Sequence, residues 1–193
     1  MFEPMTVVRA VHFASTIMVA GVVFFVALIA EPAFRKASND ARIAGILWSR
    51  LAWIAWISLA LSVLSGAAWL VLTAASMSGQ AVADLFSQDV LWIVLSQTDF
   101  GNDWLARFVF ACVLSGVFVP FLSAQGAKSV WLNTITIIFA ASLLGSLALA
   151  GHAIGGQGIE AFVHPVADAL HLIAAAAWVG ALVPLALLLS LTG

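Results

Sequence analysis

The charged residues of this chain are so sparse that they divide it by themselves. Stretches without Asp, Glu, Lys or Arg run from Ala10 to Ala30, Leu51 to Ala83, Phe108 to Ala127, Ser129 to Ile159 and Ala169 to Gly193. A helix crossing a hydrocarbon core of about 30 Å needs about 20 apolar residues, and each stretch is long enough to hold one. The pattern predicts an all-α, polytopic transmembrane helix bundle of about five spans, over residues 6–30, 51–75, 104–124, 130–150 and 167–190, forming a single transmembrane domain over 1–193. No period-two alternation competes with it, and an open sheet would leave its edge unsatisfied in lipid. Between Asp84 and Asp103 the apolar run Val90-Leu-Trp-Ile-Val-Leu95 is too short to span. It reads as an interfacial or re-entrant segment over about 84–98, with Trp92 at headgroup level.

Composition narrows the class. With 64% hydrophobic and 8% charged residues in 193, the chain lacks the ionic surface of a soluble domain. One Cys excludes a disulfide framework, and a net charge of -2 with no basic run argues against nucleic acid. Orientation follows from the basic residues, because cytoplasmic loops retain Lys and Arg. Arg35, Lys36, Arg42 and Arg50 lie between spans one and two, and Lys128 between three and four. The loop between spans two and three carries Asp84, Asp89, Asp99 and Asp103 instead, and Glu160 stands before span five. The expected topology is therefore N-out and C-in. The opening Met-Phe-Glu-Pro has none of the basic residues of a cleavable leader.

Against this topology all four histidines fall on the outer half. His12 and His171 lie about two turns into spans one and five, His152 at the end of span four, and His164 just before span five. His164, Asp168 and His171 share a stripe at i, i+4 and i+7 on a helix that Pro165 is placed to start, and Met5, Arg9, His12 and Thr16 form a stripe at matching spacing in span one. Arg9 and Arg107 stand at the outward ends of their spans, where a guanidinium either snorkels or serves a function. Imidazole with carboxylate suits copper, zinc, nickel or iron, and a nearby thioether tilts the choice toward copper. The same pair of imidazoles at one depth also fits a haem b held by His12 and His171 as axial ligands. The blander alternative treats the histidines as hydrogen-bonding glue between helices. Arg9-Ala-Val-His12 with Gly21, and Asp168-Ala-Leu-His171 with Gly180, repeat one pattern with Gly nine residues after the His. This hints at a parallel internal repeat. No nucleophile is paired with a base, so no enzymatic activity is expected.

Arg9-Ala-Val-His12, Thr98-Asp-Phe-Gly101 through Trp104-Leu-Ala-Arg107, Gly151-His152-Ala and Ala167-Asp-Ala-Leu-His171-Leu-Ile-Ala-Ala-Ala-Ala-Trp178-Val-Gly180 together resemble the copper resistance protein D family of bacterial inner-membrane proteins, over essentially the whole chain. The resemblance implies copper homeostasis, with copper taken across the cytoplasmic membrane, often in partnership with a small periplasmic carrier of the copper resistance protein C type. It implies copper-pathway roles for His12, Arg107, His152, Asp168 and His171, with His164 a weaker match. Members of the family continue for several more spans, so the chain reads as truncated relative to them, and its oligomeric state is left open.

Overall fold

The computed structural model describes residues 3–36, 41–86, 89–123, 129–150 and 160–192. Among these residues the architecture is entirely helical, with five helices long and apolar enough to cross a membrane. The helices in chain order are α1 (Pro4–Phe25), continued through a π turn at Val26–Ala30 into α2 (Glu31–Lys36); α3 (Ala41–Ser78); α4 (Val90–Gln97), too short to span; α5 (Asp99–Phe121); α6 (Val130–Gly145), ending in a 3-10 turn at Ser146–Ala150; and α7 (Glu160–Ala175), joined through a π turn at Ala176–Gly180 to α8 (Ala181–Thr192). Several helices overrun the stretches expected for them, since a helix can continue past the hydrocarbon region into polar residues.

Local chemistry sets the ends. Pro4 occupies the first turn of α1, where its missing N–H costs nothing. Thr98 caps α5 by accepting from the Gly101 N–H at 3.0 Å, and Ser129 caps α6 by accepting from Leu132 at 3.3 Å. Pro165 does not start its helix as expected. The helix begins at Glu160 and carries Pro165 inside it, so one carbonyl in the first turns loses its backbone donor. Between α3 and α5, α4 packs Val94 with Leu70, Ala74 and Leu85, while Trp92 stays exposed.

α1 is the central helix: 67% of its apolar window is buried against other helices, compared with 22% for the last span, which lies at the periphery. Its lower half packs Val19, Val22, Val23 and Phe25 against Leu47, Leu51, Phe118 and Leu144. At the level of Gly21 it crosses the π turn of the last span with backbone in direct contact. A Cβ built on Gly21 would run into the Gly180 backbone, and one built on Gly180 would lie 2.8 Å from the Ile17 carbonyl oxygen and 2.9 Å from the Gly21 Cα. Only paired glycines allow that approach, the close-packing logic of membrane helices. The two glycines that mark equivalent positions in the sequence repeat are thus the ones that touch. Farther along, the buried Glu31 carboxylate accepts from Asn133 Nδ2 at 2.7 Å and pairs with Arg35, tying α2 to the start of α6.

Gly21→Leu is expected to destabilise the bundle by about 1–3 kcal/mol, the usual scale of overpacking, seen as a lower thermal midpoint in detergent. Gly116→Ala, at a position with nothing within 4 Å, should leave the midpoint unchanged or slightly raised. Equal responses at the two positions would contradict the tight crossing.

Candidate functional site

The end of the bundle that carries Pro4 collects the polar side chains. α1 and α5 begin there, and α3 and α6 finish there, so His12 and Arg107, each about two turns into its helix, come level with Trp69 of α3 and with Ser146 at the end of α6.

His12 is buried between α1 and α3. Its Nδ1 lies 2.9 Å from the Ser62 carbonyl oxygen and 3.2 Å from Ser65 Oγ. A carbonyl only accepts, so Nδ1 carries the proton and donates it there. Ser65 already donates its own hydroxyl to the Leu61 carbonyl at 2.6 Å, which leaves its oxygen free to accept from His12. The Nε2 lone pair is therefore exposed to the interior, buried and without a hydrogen-bond partner. Thr16, one turn on, bonds both the His12 carbonyl and Ser62 Oγ at 2.8 Å, which locks α1 to α3 beside the ring.

Arg107 on α5 is also buried. Its Nη2 donates to the Ser146 carbonyl at 2.9 Å and its Nε to Ser146 Oγ at 3.3 Å, while Nη1 has no hydrogen-bond partner. Ser146 sits in the 3-10 turn that ends α6, where carbonyls lack intrahelical donors and so suit a guanidinium. The carboxylate of Asp103, one turn earlier on α5, attracts the guanidinium, and an aromatic face adds to its support. Its carbon lies 5.5 Å from the Trp69 ring centroid, and Arg9 lies 5.2 Å from the same ring. A buried cation over an indole gains up to about 2 kcal/mol. His12 meets Trp69 edge-on at 5.6 Å, and Phe100 does so at 5.7 Å. Trp104 donates its indole N–H to the Gly66 carbonyl at 2.9 Å. Gly66 packs closely on the ring, since a Cβ there would lie 3.2 Å from His12 Cε1.

The sequence-derived candidates are thus divided. His12, Arg9 and Arg107 come together around Trp69, with Met5 half-buried nearer the start of α1. His164, Asp168 and His171 lie on one stripe of α7, and all three are exposed. His152 lies outside the described residues. The Nδ1 edge of the His12 ring turns toward α3, while His171 is exposed on α7. Among the described residues no group of three or more His, Cys, Asp or Glu is placed to hold a metal ion. Sequence reasoning missed Ser62, Ser65, Trp69, Trp104 and Ser146. The readable signal was on α3, where buried Ser58, Ser62, Ser65 and Trp69 follow i, i+4, i+7 and i+11, the helical stripe also seen in span one.

Because the Trp69 ring lies against His12, Arg9 and Arg107 at once, Trp69→Ala should cost about 3–5 kcal/mol of stability, measured as a fall in thermal midpoint. Trp69→Phe keeps a ring beneath the guanidiniums and should lose less than half as much. Indistinguishable losses would mean that the ring is only filling space.

Residues 1–163 match the family described as copper resistance protein D-like, N-terminal domain. The chain is 30% identical over 176 residues to the inner membrane protein YebZ of Escherichia coli, covering 91% of this chain and 54% of that protein. It is 36% identical over 140 residues to copper resistance protein D of Pseudomonas syringae pv. tomato, covering 70% of this chain and 41% of that protein. The chain thus spans about half the length of the curated relatives it matches. No solved structure matches it. With its five apolar helices, the chain is a multi-pass inner-membrane protein that belongs to the copper resistance protein D-like family.

Proposed function

We propose that this protein handles copper ions at the inner membrane, accepting them at the end of the bundle that carries Pro4 and contributing to their passage inward and to copper tolerance. The observation that carries this reading is His12. Ligating histidines usually donate the distal ring N–H to a carbonyl or carboxylate, which fixes the tautomer and raises the basicity of the other nitrogen. His12 has that arrangement in a chain of a family named for copper resistance, with Nδ1–H held by Ser62 and Nε2 free.

In this reading the amino terminus faces outward, as the basic loops argue. A periplasmic carrier of the copper resistance protein C type delivers the ion there. The exposed stripe of His164, Asp168 and His171 on α7 offers imidazole and carboxylate ligands near the same end, and His12 is the imidazole station inside the bundle. Arg107 and Trp69 hold the geometry around it. The protein carries the ion and makes no covalent change to it.

Two measurements on the detergent-purified chain test this. Cuprous ion should bind in competition with a chromophoric chelator, and His12→Ala should weaken that binding at least tenfold. His171→Ala and Asp168→Ala report separately on the α7 stripe. Unchanged affinity in His12→Ala would remove the interior site from the account. The visible spectrum should show no Soret band, whereas a Soret band with redox-sensitive visible bands would make the protein a haem carrier.

A further inference from the structure

The polar stripe of α7 is left unmatched by the rest of the chain. The last span has only 22% of its apolar window buried. It meets α6 through Pro165, Ala169 and Ile173, which line a groove with that helix. His164, Asp168 and His171 turn away from this contact, on a face shared with Ala167, Ala174 and Trp178, and all are exposed. Neither α6 nor the 3-10 turn that ends it carries a titratable side chain, and among the described residues none of the three polar groups has a hydrogen-bond or ion-pair partner. The glycine crossing fixes how deep they lie. Five spans make the first and the last run in the same direction. Gly21 and Gly180 touch, and His12 and His171 each stand nine residues before their glycine, about 13 Å along the helix. His171 is thus level with His12, inside its span, where an ionisable side chain needs a partner other than lipid.

We propose that a second copy of this chain supplies that partner: two copies pack α7 against α7 about a two-fold axis along the membrane normal, and their His171 side chains hold one cuprous ion between them. This rests on the copper reading above and adds the partner that completes its α7 site. The membrane gives both copies the same orientation, so identical residues meet at identical depth in an isologous contact. The face suits itself, since it carries imidazole and carboxylate together. One chain gathers no group of three or more metal-ligating side chains among the described residues, whereas two copies bring two His171 and two Asp168 to one level. Imidazole suits copper, and Asp168, one turn before His171, is placed to accept the ring N–H that the metal leaves free. The bond to the metal is dative, and no electron is transferred. Ala167 and Ala174, two turns apart beside the histidine, are small enough to let the two backbones approach. Trp178, 76% exposed in the single chain, is covered in the pair.

Crosslinking in membranes tests the packing. In a Cys112→Ser background, Ala174→Cys should be joined across copies by iodine oxidation in copper-free membranes, whereas Val109→Cys on α5, also exposed, should not. Sedimentation equilibrium of the detergent-purified chain tests the shared ion, because an ion held between two copies must favour the dimer. Cuprous copper should raise the association constant at least tenfold. His171→Ala should abolish that rise, and Asp168→Asn should reduce it about tenfold, the scale of losing a ligand's orienting partner. The weaker copper binding that remains in His12→Ala should saturate at one ion per two chains. A monomer under every condition, or one ion per chain in His12→Ala, overturns the shared site while leaving copper binding at His12 intact. A dimer joined through Ala174→Cys whose association is indifferent to copper overturns it as well. Failure of the wild-type chain to bind copper at all removes the shared site and the copper reading together.

Discussion

A guanidinium inside an apolar helix bundle is the constraint on which the rest of this structure turns. Leaving Arg107 unsupported in lipid would cost several kcal/mol, so the bundle must bring oxygen acceptors and an aromatic face to it. The acceptors come from Ser146, and they are available because α6 tightens into a 3-10 turn where its carbonyls are free. The aromatic face comes from Trp69 on α3, which in turn fixes α3 against α1 through His12 and Phe13. Four helices are therefore indexed to one another at a single level. The hydrogen bonds of His12 to Ser62 and Ser65 follow from that register.

The opposite half of the bundle is held by other means. There α1 is buried in apolar contacts, and it approaches the last span closely enough that Gly21 and Gly180 meet backbone to backbone. The buried carboxylate of Glu31 finds Asn133 and Arg35. The division has a functional sense: tight apolar packing fixes the helices below, and polar side chains with unused bonding capacity gather above.

Much of this was legible in the sequence, for definite reasons. Charges are excluded from the hydrocarbon region, so the uncharged stretches mark the spans, and His12 and Arg107 stand out as ionisable residues within them. The repeated His-to-Gly spacing pointed to Gly21 and Gly180 as equivalent positions, and they meet at the crossing. The equivalence stops at the histidines, since His12 is packed against α3 while His171 on α7 is exposed. Spacing along one helix fixes which residues share a stripe but not which neighbour the stripe faces, so a single cluster of His12 with His164, Asp168 and His171 is not what the packing assembles. The partners of His12 and Arg107 were hidden for a related reason. Ser62, Ser65 and Ser146 are ordinary in membrane helices, and half of what they supply is backbone carbonyl, which the sequence does not display. Trp69 was obscured by seven other tryptophans, most naturally read as interfacial.

The central claim is that His12 keeps a buried, unpartnered Nε2 because its Nδ1 proton is committed to Ser62. Solid-state nitrogen NMR on the membrane-embedded chain with labelled histidine, assigned by comparison with His12→Ala, reads that state directly. The account predicts a neutral His12 ring protonated at Nδ1, with an Nε2 resonance that shifts when cuprous copper is added. A His12 ring protonated at Nε2, or an Nε2 resonance indifferent to copper while another histidine responds, would contradict it.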